Sequence, residues 1–273
     1  MTEFTTPTAG QAIDLAGSAV LLLGDSHLVA GDVQLYGQDP ARRLRDTISV
    51  VEDDHPGMAA AFFIGDLAHN GHDDEYGVAR SLLDGLHAPS FVVAGNHDNR
   101  DLLEKYFPVS DRMQGPFRQY DVVVGATRFI VLDTVGDGTS SGEICEERLR
   151  WLESVLAKSD RKCVILMHHP PLPLGFNVDA IRLRQSSELL QVFGRHRMKI
   201  ELVVFGHTHR SACGTWEGFP FVALKATGHQ RIAAQKGRPD SSIDHGVPSF
   251  ALLRITRGSV VVQLRDISVD RAP

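Results

Sequence analysis

Leu21-Leu22-Leu23-Gly24-Asp25-Ser26-His27 sets the pattern of this chain: a short apolar run, a glycine, then side chains able to bind a metal. The pattern returns as Phe62-Phe63-Ile64-Gly65-Asp66, Val92-Val93-Ala94-Gly95-Asn96-His97-Asp98 and Val203-Val204-Phe205-Gly206-His207-Thr208-His209. Ile165-Leu166-Met167-His168-His169 repeats it without the glycine. Short apolar runs closed by turn signals read as strands buried on both faces. In open α/β sheets, ligands bind outside the carboxyl ends of the strands. Five such endings would therefore converge on one rim. Any one of these motifs arises by chance in many proteins, and a lone His at a strand end is more often structural. Five of them in the same place relative to a strand are not explained that way.

Working outward, strands are expected at Ala19–Leu23, Ala60–Ile64, Phe91–Ala94, Arg128–Leu132, Val164–Met167 and Leu202–Phe205. Helices are expected between them, at Ala41–Glu52, Glu75–Leu86, Arg100–Phe107, Glu146–Ala157 and Ser187–Gly194. In Glu146–Ala157 the residues Leu149, Leu152, Val155 and Leu156 recur at helical spacing, with charges opposite. The alternation favours a layered α/β fold. After His209 the pattern changes to consecutive strands at Ala212–Trp216, Phe219–Leu224, Phe250–Ile255 and Val260–Leu264, with a long loop at Gln235–Pro248. One domain over 18–273 is expected, with 210–273 its strand-rich C-terminal part, shaping the pocket and a dimer contact, and with 1–17 a loosely held arm.

Composition narrows the function. The formal net charge of −6 and the absence of a Lys/Arg stripe exclude non-specific binding to a nucleic-acid polymer. An anionic substrate must then be drawn by a local positive site. Cys145, Cys163 and Cys213 are far apart, form no paired motif and fit a reducing compartment. The first 17 residues lack a signal-peptide pattern, and no apolar stretch is long enough to span a bilayer. The protein reads as soluble and cytoplasmic.

The series Asp25-x-His27, Gly65-Asp66, Gly95-Asn96-His97-Asp98, His168 and Gly206-His207-x-His209 resembles the calcineurin-like metallophosphoesterase superfamily, from about residue 18 to residue 230. Within it, the chain looks most like class III cyclic-nucleotide phosphodiesterases and the related bacterial glycerophosphodiesterases. Met167 to Gly175, Ala94 to Asp98 and Glu75 to Arg80 resemble the glycerophosphodiesterases especially. The resemblance implies a four-layer α/β/β/α sandwich. It implies one metal on Asp25, His27, Asp66 and His209, and a second on Asn96, His168 and His207, with Asp66 bridging. Imidazole and carboxylate donors without thiolate suit Fe, Mn, Zn or Co. Only Asp25 and Asp66 are anionic, so two divalent ions would keep a surplus of about two positive charges. A metal-bound hydroxide would attack the phosphorus in line, between metals about 3.5–4 Å apart.

The same resemblance implies that His97 protonates the leaving alkoxide, with Asp98 or Asp25 holding it, and that Asn96, His97 and His229 face the substrate. For His229 the alternative is a surface loop position. Lys225 reads as pointing to solvent, with phosphate binding as the alternative. His69 stands where purple acid phosphatases place a metal-bound Tyr; its absence disfavours that type, and an exposed loop is the simpler reading for His69. His169 is expected to support His168 rather than to bind metal. Asn70-Gly71 replaces the Arg-Gly of protein serine/threonine phosphatases. The expected activity is hydrolysis of a small phosphodiester, either a cyclic nucleotide or a glycerophosphodiester, by a homodimer or higher homo-oligomer. The alternatives are a phosphomonoesterase or a non-catalytic scaffold.

Overall fold

The computed structural model describes residues 19–113, 115–232, 243–256 and 258–267. The expected arm at 1–17 and most of the expected 235–248 loop lie outside the described residues. In chain order the elements are β1 (Val20–Leu23), α1 (Pro40–Asp54), β2 (Ala60–Ile64), α2 (Asp73–Leu83), β3 (Ser90–Val93), α3 (Arg100–Tyr106), β4 (Tyr120–Val124), β5 (Thr127–Val131) and α4 (Glu146–Lys158). They continue with β6 (Lys162–Met167), α5 (Ser186–Arg195), β7 (Ile200–Phe205), β8 (Ala212–Trp216), β9 (Phe219–Ala223), β10 (Gln230–Arg231), β11 (Ile243–Asp244), β12 (Ser249–Thr256) and β13 (Ser259–Asp266).

Two mixed sheets result. One has the order β13-β12-β1-β2-β3 and the other β4-β5-β6-β7-β9-β8, with β10 and β11 pairing as a small ribbon. Strands β1, β2 and β3 are parallel, as are β5, β6, β7 and β9, so the motif-bearing strand ends of each sheet point the same way. Side-chain parity then splits the apolar runs. Leu21, Leu23, Ala61 and Phe63 pack with Leu44, Val51, Tyr76 and Leu103 of α1, α2 and α3. Val20, Leu22, Phe62 and Ile64 face Phe129, Val131, Val164 and Val204 of the other sheet. On that sheet's far side, Ile165, Met167, Val203 and Phe205 meet Trp151, Leu152, Leu189 and Phe193 of α4 and α5. Three apolar interfaces between four layers form the expected α/β/β/α sandwich.

The helices begin where local chemistry starts them. Asp39 caps α1 by accepting from Arg42 N–H, with Pro40 in the first turn, and Asn99 accepts from Asp101 and Leu102 at α3. Strand β4 is absent from the expected elements. Its Tyr120, Val122 and Val124 alternate with half-buried Asp121 and Val123, an edge-hairpin pattern rather than a continuous apolar run. The strand-rich C-terminal part also divides between layers. β8 and β9 extend the second sheet, whereas β12 returns antiparallel to β1 and carries β13 to that sheet's edge.

Phe62 is fully buried between the sheets and stacks on Phe91 and Phe129 at centroid distances of 5.2 and 5.0 Å. Phe62→Ala should cost about 3–5 kcal/mol in a denaturant titration. A loss below about 1 kcal/mol would mean that the inter-sheet contact does not hold the layers together.

Candidate metal centre

Beyond their last residues, the parallel strands turn sharply and stay laced together. Asp25 N–H donates to Gly65 O (3.2 Å), His27 N–H to Asp66 O (2.9 Å) and Gly228 N–H to Asp25 O (3.0 Å). The turns hold Asp25, His27, Asp66, His207 and His209 in the left-handed region, with φ of 47°, 47°, 48°, 68° and 52°. For a residue with a Cβ this costs about 1–2 kcal/mol, and such strain concentrates at functional sites. Gly95 permits a close approach. A Cβ there would overlap the carboxylate and backbone nitrogen of Asp66.

Asp66 occupies the middle of the rim. Its Oδ1 accepts from His97 N–H at 2.9 Å, which leaves Oδ2 facing two histidine groups. On one side Oδ2 is 3.6 Å from His27 Nε2, which is 3.1 Å from His209 Nε2, itself 3.5 Å from Asp25 Oδ1. On the other side Oδ2 is 3.3 Å from His168 Nε2, which is 3.2 Å from Asn96 Oδ1 and 3.1 Å from His207 Nδ1. The seven residues picked from the sequence thus fall into two donor groups that share Asp66. The ring tautomers are set by backbone carbonyls. His168 Nδ1 donates to Ile64 O (2.9 Å) and His209 Nδ1 to His229 O (2.8 Å), which aims both Nε2 atoms at the carboxylates.

The electrostatics match a cation-binding pocket. Burial holds His27 and His207 well below the ordinary imidazole range and takes His209 down to about 3, so these rings present lone pairs. Burial, reinforced by Asp66, pushes Asp25 up to about 8. Asp66 is buried as well, yet His168 and His27 hold it well below the carboxylate range. Burial opposes a charge on His168, but Asp66 and Asp25 raise it to about 9. Among the described residues, Asp25 Oδ2 and His207 Nε2 are buried without a hydrogen-bond partner. Buried carboxyls with neutral imidazoles and unpaired polar atoms fit two metal ions, and the N/O donor set fits hard or borderline ones. The cysteines take no part: Cys163 is in the core, and Cys145 and Cys213 are exposed.

The centre opens into a cavity of about 230 Å³. His97 is on its wall, and its Nδ1 donates to the His69 carbonyl at 2.6 Å. Neither carboxylate expected to hold this ring does so. Asp98 turns away and accepts from the N–H groups of Leu67 (3.3 Å), Ala68 (3.1 Å) and Gly95 (3.0 Å) and from Tyr76 O–H (3.2 Å). It braces the loops that carry Asp66 and Asn96. His69 is not an exposed loop residue. It is half-buried, with Nδ1 3.3 Å from His27 Nδ1 and its ring stacked on His97 at 5.2 Å. His229 is not at the surface either: it is 2% exposed, with its ring 4.4 Å from that of His209. Lys225 lies outside the cavity lining and pairs with Asp266 at 2.9 Å. His169 is buried beside His168 and His207, and its Nδ1 pairs with Thr134 Oγ1 at 2.9 Å.

Residues 18–211 match the family model described as calcineurin-like phosphoesterase. The chain belongs to that family. This calcineurin-like phosphoesterase is 34% identical over 237 residues to a probable cyclic nucleotide phosphodiesterase of Rhodopseudomonas palustris, covering 84% of this chain and 85% of the relative. It is 28% identical to the 3′,5′-cyclic adenosine monophosphate phosphodiesterase CpdA of Pseudomonas aeruginosa, over 81% of this chain and 79% of that one. The glycerophosphodiester phosphodiesterase GpdQ of Enterobacter lignolyticus is 30% identical, over 61% of each chain. The fold is shared with a dimetal phosphatase from Danio rerio (TM-score 0.69, 17% identity, 91% of this chain and 96% of that one). Among the described residues of the phosphoesterase, no helix is long and apolar enough to cross a membrane.

Cavity-lining residues that sequence reasoning missed are Tyr36, Ser140, Val178, Ile181 and Arg231. Tyr36 alone carried a signal, an aromatic residue directly before a turn glycine. Because Asp98 ties three backbone amides, Asp98→Ala should lower unfolding stability by about 2–4 kcal/mol, read from the denaturant midpoint, while His97→Ala should change it by less than about 1 kcal/mol. Equal effects would contradict the bracing assignment.

Proposed function

We propose that this protein is a dinuclear metal-dependent phosphodiesterase acting on a small phosphodiester, a cyclic nucleotide or a glycerophosphodiester. The observation that carries the reading is the placement of Asp66 Oδ2, 3.3 Å from His168 Nε2 and 3.6 Å from His27 Nε2, between two donor groups. In this reading Asp25, His27, Asp66 and His209 hold one metal, and Asp66, Asn96, His168 and His207 the other. Fe, Mn, Zn and Co all suit these donors. When bound, the metals supply Lewis-acid polarisation of the phosphate and acidify a water at neutral pH. The chemistry of the named relatives supports a diester rather than a monoester.

The chain's own groups then have distinct tasks. Asp66, pinned through Oδ1, fixes the spacing of the two sites. The backbone carbonyls of Ile64 and His229 keep His168 and His209 in ligating tautomers. His97 donates from Nδ1 to the His69 carbonyl, which leaves Nε2 as the atom that passes a proton to the leaving oxygen. Asp98 acts through the backbone, as a positioning residue for the Asp66 and Asn96 loops. His229, carried beside His209 on the cavity wall, is a substrate contact.

Mn(II)-loaded protein should cleave bis(p-nitrophenyl) phosphate in preference to p-nitrophenyl phosphate, and chelator-stripped protein should cleave neither. A preference for the monoester would replace this reading with a phosphomonoesterase; two bound metals without turnover of either would favour a non-catalytic scaffold. Asp66→Ala should lose both metals by elemental analysis, and a metal-replete, active variant would sink the bridge. His97→Ala should keep its metals and slow turnover by roughly 10²–10⁴-fold for diesters with poor leaving groups. Equal losses on good and poor leaving groups would remove His97 as the acid.

A further inference from the structure

Tyr36 breaks a local rule at the mouth of the cavity. Leu35 and Gln38 exchange both backbone hydrogen bonds, Leu35 N–H to Gln38 O at 2.8 Å and Gln38 N–H to Leu35 O at 3.0 Å. Tyr36 and Gly37 form the two-residue tip, with φ of +53° and +75°. Positive φ at both central positions is the mark of a type I′ turn, where Asn-Gly or Asp-Gly is favoured and a bulky side chain is strained. The strained side chain does not join the core: Tyr36 is 45% exposed. It lines the cavity instead, with its ring steeply inclined to that of His229 (64°, centroids 4.9 Å apart) and to that of His69 (83°, 6.4 Å).

The turn is also braced from behind. Gln38 Nε2 reaches Asp244 O at 3.5 Å, and Arg43, early in the following helix, donates to Gly246 O (2.6 Å) and Thr227 O (3.2 Å). A residue that costs conformational energy and stays half in water, on a braced turn beside the candidate metal centre, is not explained by packing. A half-exposed phenol ring in a cavity also lined by the apolar Val178 and Ile181 offers a stacking surface for a flat π-system. Glycerol has no such group and a nucleobase does.

We propose that Tyr36 is a substrate-selecting platform that stacks the base of a nucleotide whose phosphate lies at the metal centre. This rests on the phosphodiesterase reading above and narrows it to nucleotide diesters. The mode of contact is sequence-tolerant stacking, so the platform favours any aromatic ester arm over an aliphatic one of similar size.

Binding of 5′-AMP and of glycerol 3-phosphate to the Mn(II)-loaded protein, measured by titration calorimetry, tests this without requiring turnover. The native protein should bind 5′-AMP more tightly. Tyr36→Asn, which suits the turn better, should weaken 5′-AMP about tenfold, leave glycerol 3-phosphate unchanged, and keep or raise the thermal midpoint. Tyr36→Phe should retain the native preference. Equal affinity for the two ligands in the native protein, or an equal loss of both in Tyr36→Asn, would overturn the platform. Hydrolysis of 3′,5′-cyclic AMP and glycerophosphoethanolamine reports separately on the phosphodiesterase reading: failure on both removes that reading, while the binding preference still decides the role of Tyr36.

Discussion

The rest of the centre depends on one carboxylate. Asp66 is 2% exposed, held at φ +48° and pinned through Oδ1 by a backbone amide of the neighbouring loop, so Oδ2 has a single position between two histidine groups. A buried site that combines two carboxyls with three rings held neutral and one held charged is electrostatically uncomfortable. That discomfort shows as Asp25 pushed up to about 8 and His168 up to about 9 within the same pocket. Two bound divalent ions would relieve it, by giving the carboxylates and the lone pairs of His27, His207 and His209 a common partner. The strained turns and the close approach at Gly95 are consequences of bringing the donors of both sheets around one oxygen.

The sandwich supplies the rigidity that such an arrangement needs. Each central strand is buried on both faces and cross-linked to its parallel neighbours, so its carboxyl end is fixed from below. The loops above are fixed by hydrogen bonds between them, including Thr227 N–H to Gly24 O at 2.8 Å and Gly206 N–H to His168 O at 3.2 Å. Asp98 adds a buried bracket to the loops around residues 67 and 95. Metal ligands on strand ends move less than ligands on free loops, and a dinuclear site needs that precision.

This division explains what could be read from the sequence. The layers, and the convergence of seven candidate residues on one rim, were legible because each depends on a local pattern, an apolar run followed closely by a polar donor. β4 escaped because an edge strand alternates and ends in no donor. Asp98 was read as a partner of His97 because it adjoins it, but it binds the amide of Gly95 and two amides some thirty residues away, at Leu67 and Ala68. His69 looked like a loop residue because its burial comes from rings contributed by distant loops. Arg231, Val178 and Ile181 reach the cavity only through the packing of segments after β6 and β9, which no short motif records.

The central claim is that two metals share Asp66. Mn(II) titration followed by electron paramagnetic resonance tests it most directly. Binding of two equivalents with an exchange-coupled signal is the predicted result. One equivalent, or two with the six-line spectrum of isolated ions, would contradict a bridged centre.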